Sequence, residues 1–404
     1  MNCDHAVRYL QSRKVSLTGN VNVRDDTVTL KGKRGMYYNA DRIAEAFDGV
    51  RLDDGKTVLT ADYGRYYVNE KKALFRGNVQ VQDSSSTLTS DELTYYREDK
   101  HSIADGNVRI ISTENNITIE GHHFENYSRQ KFSRMTRQPA VVQIDTAVDG
   151  TIDTFVVRSR VMESYRDSVK RLVAIDSVRM WSSDLAGEAG LGIYYIENDS
   201  LILRKNPFIW YGENQVSGDS IFIKLQKRKP RTVHVRGDAF AISQSDSMYP
   251  NRFDQLTGEV ITMHFAEGKI HRIDVDRTAT SIYYLYEQGD DSSGVRRKPN
   301  GLNRTSGDRV VINFAGGKAD RISVVGGVEG EYFPENLVVH KEIDYNLPGF
   351  NWREDHPGIF RKAQKPSASV QSPGSVGRKS SRLAPKPRIQ GEALQRRRKS
   401  TSNE

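Results

Sequence analysis

Four segments of this chain carry a glycine followed almost at once by an alternating apolar run, and the glycines fall at a nearly constant interval. They read Leu17-Thr18-Gly19-Asn20-Val21-Asn22-Val23, Phe47-Asp48-Gly49-Val50-Arg51-Leu52, Phe75-Arg76-Gly77-Asn78-Val79-Gln80-Val81 and Ala104-Asp105-Gly106-Asn107-Val108-Arg109-Ile110, with glycine spacings of 30, 28 and 29 residues. A second marker (Asp4, Arg34, Asp62 and Asp91) precedes each glycine by 15 residues. Two interlocked signals at one offset define a repeated unit. A unit this short cannot bury an apolar face alone, so its neighbours must stack and share a core.

Each half of the unit has the period of a strand. After the marker, apolar or aromatic residues fall at even offsets: Met36 and Tyr38, Tyr66 and Val68, Leu93 and Tyr95. The same phase returns as Ile221, Ile223 and Leu225 after Asp219, as Ile261, Met263 and Phe265 after Glu259, and as Val310, Ile312 and Phe314 after Asp308. Alternation with period two gives one apolar and one wet face. Turn residues at Asn69–Lys72 and Arg97–Lys100 separate the two strands of a unit. The glycine fits a tight bend where the chain passes from one sheet to the other. Later spacings lengthen to 40 (Asp219 to Glu259) and 49 (Glu259 to Asp308), which places polar insertions at residues 244–247 and 289–294 in surface loops. Between about residues 112 and 187 the pattern does not resolve into strands. The expected fold is all-β, a stack of antiparallel strands: a regular stack over 1–145, a continuation with longer loops over 146–345, and a tail over 346–404.

The net charge of +8 is not spread over this stack. Residues 361–404 hold twelve Lys/Arg against two Glu, a balance of +10, which leaves −2 for the body. A near-neutral body argues against a folded nucleic-acid-binding surface. The basic tail, poor in large apolar residues, cannot offset its ordering entropy and is expected to be disordered. Cys3 is the only cysteine, so neither an internal disulfide nor a cysteine-built metal site is available. No apolar run is long enough for a membrane-spanning helix. The first marker, Asp4, stands at the very start of the chain and no leader precedes it. The expectation is that the natural chain begins further upstream, with a secretion signal and one or more coils.

The pattern Gly-Asn-Val-x-Val, following a strand that opens with Thr60-Ala61-Asp62 or Thr89-Ser90-Asp91, resembles the OstA/LptA-like lipopolysaccharide-transport family. The resemblance is good over residues 4–111, weaker over 188–330 and absent from the tail; no single motif is specific, and the shared register carries it. It implies an elongated β-jellyroll, or β-taco, of V-shaped strands open at both ends, with acyl chains lying in an apolar crease. It also implies a location in the periplasm or on the periplasmic face of the outer membrane. Lipopolysaccharide or another acylated lipid would be the cargo, and other β-jellyroll transport components, or further copies of this chain head to tail, would join by edge-strand pairing. The crease would be lined by Val21, Val23, Val50, Leu52, Val79, Val81, Val108 and Ile110 on one wall and by Tyr66, Val68, Leu93 and Tyr95 on the other. Such a trough has a physical purpose, since each methylene exposed to water costs about 0.8 kcal/mol. The same residues would equally fill a dry core.

No enzymatic constellation is expected. The chain lacks His-Glu-x-x-His, Gly-x-Ser-x-Gly and a phosphate-binding Gly-x4-Gly-Lys motif. His122-His123 is read as a solvated pair rather than half a metal site, because neighbours on a strand point to opposite faces. Asp274 and Asp276 share a face and are read as a wet strand surface rather than a cation site. Lys227–Arg231 and Arg296–Lys298 are read as turn charge, with contact to lipid phosphate as the alternative. No cofactor and no metal are expected. Two other classes stay open: a filament-forming β-stack with a dry core, and a β-helix enzyme acting on polysaccharide.

Overall fold

Two consecutive residues in the left-handed region of backbone space recur along the chain and shape the whole structure, a computed structural model that describes residues 2–25, 28–112, 116–146, 152–183, 185–226, 229–287, 298–316 and 318–355. Among them the pairs at bends are Gly19-Asn20, Asp48-Gly49, Gly77-Asn78, Gly106-Asn107, Arg137-Gln138, Asp176-Ser177, Lys205-Asn206, Gly237-Asp238, Arg277-Thr278 and Gly326-Gly327, while Glu267-Gly268 makes a hairpin turn. An ordinary L-residue pays about 1–2 kcal/mol to enter this region, whereas Gly enters freely and Asn and Asp at reduced cost. The strand register shifts at the same places, as between Thr18 and Val21, Arg76 and Val79, Ile175 and Val178, and Arg236 and Ala239. Each coil therefore bends into a V.

A clasp from the neighbouring strand closes most of these bends. The amide of Asp4 donates to the carbonyl of Gly19, Asp62 to Gly77, His122 to Arg137, Arg160 to Asp176, Gly190 to Lys205, Asp219 to Gly237 and Asp308 to Gly326, all at 2.8–3.1 Å. In three coils the side chains join in: Asn20 Nδ2 donates to Asp4 at 3.0 Å, Asn78 to Asp62 at 2.8 Å and Asn107 to Asp91 at 2.9 Å. At Asp4, Asp62 and Asp91 this clasp underlies the 15-residue offset read in the sequence.

Among the described residues, twenty-six strands form one antiparallel sheet. Consecutive strands pair along the chain, except that where a bend interrupts a strand its two pieces lie end to end along an unbroken neighbour; Val58–Ala61 and Tyr63–Tyr67 both pair with Ile43–Asp53. Arm I of each V carries residues such as Ala73, Phe75, Leu93 and Tyr95. Arm II carries Val79, Val81, Val108 and Ile110. On the inner face of arm I, Leu17, Gly35, Ala46, Gly64, Phe75, Leu93, Ala104, Phe124, Met135 and Met162 stand opposite one another strand after strand. The row continues through Ala174, Gly192, Leu203, Ile221, Val235, Ile261, Val275 and Val310.

Both arms feed one core. Phe75 and Leu93 from arm I and Val79 and Val108 from arm II bury together in the first coils. Leu203, Ile221, Val235, Ala239, Ile261, Val275 and Val310 do the same further on. Full burial of each such aliphatic or aromatic side chain is worth about 1.5–3 kcal/mol. Small residues beside the bend let the arms approach: a methyl group placed on Gly258 would lie 2.6 Å from Val275 Cγ1.

Three expectations change in detail. Between residues 112 and 187 the described residues form strands of the same stack, with bends at Arg137-Gln138 and Asp176-Ser177. Met36 and Tyr38 face outward, because the bend at Asp48-Gly49 displaces the phase of that coil by one residue and turns Gly35 and Tyr37 inward. The body extends beyond residue 346: Leu347, Phe350 and Trp352 pack on Phe240, Phe253, Ile282 and Tyr284, on the outer face of arm II. This third cluster lies beneath a strap formed by the short helix Glu335–Val338, the turn Glu342–Tyr345 and the residues up to 355. The loop at 244–247 joins Lys229–Gln244 to Phe253–Ala266. The insertion at 289–294 and residues 356–404 of the tail lie outside the described residues.

Candidate functional site

The inner side of the V presents two zones of different accessibility. Beside the bend, Val21, Val50, Val79 and Val108 are each no more than 3% exposed, and Leu93 is 5% exposed. Here the arms meet and the interior is packed. One step further from the bend, arm II carries an unbroken aliphatic lip: Val23, Leu30, Leu52, Leu59, Val81, Leu88, Ile110, Ile119, Val141 and Val157 face one another in register. Of these, Val23, Leu30, Leu52, Val81, Leu88, Ile110, Ile119, Val141 and Val157 are only half-buried. The opposite lip, on arm I, is Tyr37, Ala44, Tyr66, Ala73 and Tyr95 in one row.

Eleven of the twelve residues assigned to the crease from the sequence thus sit on the inner face. Val68 does not reach the wall, since the strand Tyr63–Tyr67 ends before it and Val68 belongs to the following turn. Sequence reasoning missed the lip residues Leu30, Leu59, Leu88 and Ile119. They lie on strands without a glycine marker, and their signal was the cross-strand register itself.

The lip of arm I becomes polar at mid-stack. Tyr95 is followed in its row by Ser102, Asn126, Ser133 and Ser164. Arg166 reaches over them, donating from Nη1 to Ser133 Oγ at 3.1 Å and from Nη2 to Asn126 Oδ1 at 2.8 Å. Among the described residues no carboxylate pairs with it, and desolvation lowers the pKa of its guanidinium. A cation held by neutral partners at the edge of an apolar trough can receive an anionic group.

The outer face of arm I is laced by rings. His101 stacks between Tyr96 and Tyr127 at 5.5 and 4.1 Å, and the series continues through Phe132 to Tyr165, over which Arg171 lies at 4.0 Å. Carboxylates on this face are each held by cations or phenols. Glu163 accepts from Arg134 at 2.8 Å and Tyr165 at 2.7 Å. Asp274 accepts from Arg272 and Arg309, both at 2.6 Å, and these hold its carboxyl at a pKa of about 2. Arg309 also lies 3.2 Å from Asp276, so guanidinium groups fill the place where a cation would sit. His123 lies between Asp105, at 2.7 Å, and Glu125, at 3.4 Å, so carboxylates rather than solvent flank its ring. Among the described residues no group of three His, Cys, Asp or Glu is arranged to hold a metal. Lys298 pairs with Glu287 at 3.0 Å, while Lys227, Arg228, Arg296 and Arg297 lie outside the described residues.

Fold and crease together define a stacked, V-bent antiparallel β-jellyroll with an aliphatic lip along one arm. Residues 1–137 match the family model described as OstA-like protein, and over that segment the chain is OstA-like. Among solved structures it is similar to LptH from Pseudomonas aeruginosa, described as the LptA homologous periplasmic component of the conserved lipopolysaccharide transport device. The two share 11% identity with a TM-score of 0.28, over 37% of this chain and 95% of that one. No curated protein matches.

Proposed function

We propose that this chain is a non-enzymatic lipid-handling component of the cell envelope, which shields acyl chains of lipopolysaccharide or a related lipid along the inner lip of its V. The observation that carries the reading is the in-register aliphatic lip from Val23 to Val157, half-buried over most of its length and continuous across the segment that is OstA-like. A dry core would have its apolar rows closed, as the row beside the bend is. Cargo would enter by parting the lips, not the apex, and Arg166 would meet an anionic headgroup at mid-stack. Nothing in the trough supplies energy, so direction would come from partners. The reading places the protein in the periplasm or on the periplasmic face of the outer membrane. No helix among the described residues is long and apolar enough to cross a membrane.

Photo-crosslinking separates this reading from a dry, filament-forming stack. A photoreactive residue at Val81 or Ile110 faces the lip, and one at Gln80 or Arg109 faces outward. In a lipopolysaccharide-producing cell the lip positions are expected to capture an acylated lipid and the outward positions none. Equal labelling at both, or no lipid in mass spectra of the purified protein, overturns the proposal.

A further inference from the structure

Several bends carry a carboxylate beside the glycine, as Asp4, Asp62, Asp91, Asp219 and Asp308 do, whereas arginines gather at two adjoining bends. On the outside of the V, where the bends at Arg137-Gln138 and Asp176-Ser177 adjoin, Arg137, Arg158, Arg160 and Arg179 line a groove of ≈ 410 Å³ together with Gln138, Ser159 and Ser177. Arg158 and Arg179 stand directly opposite each other on paired strands. Like charges in that position destabilise a sheet unless something neutralises them. The nearby carboxylates are spread thinly. Asp105 lies 3.7 Å from Arg137 but is taken up by His123 at 2.7 Å. Glu188 is shared between Arg179 at 3.3 Å and Arg353 at 2.9 Å, and Asp176 serves Arg160 at 3.1 Å. Arg158 lies over the Trp181 ring at 5.6 Å and, among the described residues, has no carboxylate partner.

We propose that this groove is a binding site for a phosphate monoester or diphosphate group. Four arginines lining one groove match the several oxygens of such an anion, and the Gln138 amide at the rim can add a hydrogen bond. The anion relieves the Arg158–Arg179 opposition that the protein's own carboxylates leave standing. The site does not depend on the lipid reading: Arg158 and Arg179 project from the face of arm II opposite to Val157 and Met180, which point into the trough.

The test uses the full chain with two probes, which distinguish a soluble phosphate compound from a lipid headgroup. Inorganic pyrophosphate is titrated by calorimetry, and phosphatidylcholine vesicles with and without phosphatidic acid are tested by co-sedimentation. The double variant Arg137→Gln/Arg158→Gln removes two exposed cations from the groove. The control Arg51→Gln/Arg109→Gln removes the same charge from the same face elsewhere. Wild-type protein and the control are expected to bind at least one probe, with the groove variant weakened at least about tenfold. Binding of pyrophosphate alone assigns a soluble ligand, and binding of acidic vesicles alone assigns a headgroup. Failure of wild type to bind either probe, or equal weakening of the control, overturns the site.

Discussion

The amide of Asp62 donates to the carbonyl of Gly77 at 2.9 Å, and a methyl group added at Gly77 would fall 2.5 Å from the Asp62 carboxylate. Clasp and bend are therefore one device. Gly77→Ala is expected to destabilise the chain by about 2 kcal/mol or more, from left-handed strain plus displacement of the clasp. Gly49, also at positive φ, has nothing within 4 Å of the added methyl group. Gly49→Ala should cost only the strain, about 1 kcal/mol. Urea unfolding midpoints of the two variants check the ordering, and equal losses would refute the clasp.

Close approach of the arms beside the bend makes a second test. The methyl group of Gly258→Ala would meet Val275 Cγ1 at 2.6 Å. Overpacking of this kind costs about 1–3 kcal/mol. Val275→Ala alone leaves a cavity, but the double variant should lose less than the sum of the singles, since each change makes room for the other. Additive losses in a double-mutant cycle would mean that the arms do not meet here.

The two zones of the crease predict a separation of stability from cargo. Val79 is 1% exposed, whereas Val81 is half-buried on the lip. Val79→Ala should lower stability by about 1–3 kcal/mol with little effect on bound lipid. Val81→Asp should leave the fold largely intact and reduce co-purified lipid. Thermal melts and lipid mass spectrometry on the same preparations decide it; if both variants lose lipid equally, the lip has no special role.

How much of this was legible in the residues depends on how each bend is made. Where the left-handed pair contains glycine, as at Gly19, Gly49, Gly77 and Gly106, the marker-to-glycine interval exposes the coil. Between 112 and 187 the bends use Arg137-Gln138 and Asp176-Ser177, pairs without the marker glycine, whose strain is held by the amides of His122 and Arg160. The strap was obscured for another reason. Leu347, Phe350 and Trp352 are three anchors in a polar context, and their partners lie about a hundred residues earlier in the chain. Strand phase put eleven of the twelve expected positions on the inner face, but the polar break capped by Arg166 depends on which strands adjoin, which composition does not encode.

A pH prediction follows from Asp254. Its carboxylate accepts the Tyr284 amide at 3.0 Å, yet desolvation pushes its pKa up to about 7 from the ordinary 3.8. In the unfolded chain it ionises near 3.8, so between about pH 4 and 7 the folded state holds the extra proton and stability falls as pH rises. The contribution is whole below that window and gone above it. Asp254→Asn keeps an acceptor for Tyr284 and cannot ionise, so it should flatten stability against pH across this window. An unchanged slope in denaturant midpoints would show that Asp254 titrates normally.

The strap gives the last prediction, because it is fastened by two glutamines rather than by its apolar anchors alone. Gln215 accepts the Arg353 amide at 2.9 Å and donates to the Asn351 carbonyl, and Gln255 accepts the Leu347 amide at 2.8 Å while donating to Asn346 Oδ1 at 2.6 Å. Both are at most 2% exposed, so each replaces lost water with strap backbone or side chain. Arg252 adds an anchor with Glu335 at 2.6 Å and Glu342 at 3.2 Å. In Gln215→Leu/Gln255→Leu the leucines fill the space but leave strap amides unpaired, at about 1–3 kcal/mol for each buried group. Hydrogen exchange of residues 335–355 should then accelerate while the strands beneath stay protected. Acceleration spread evenly over the sheet would instead make the strap part of the cooperative core.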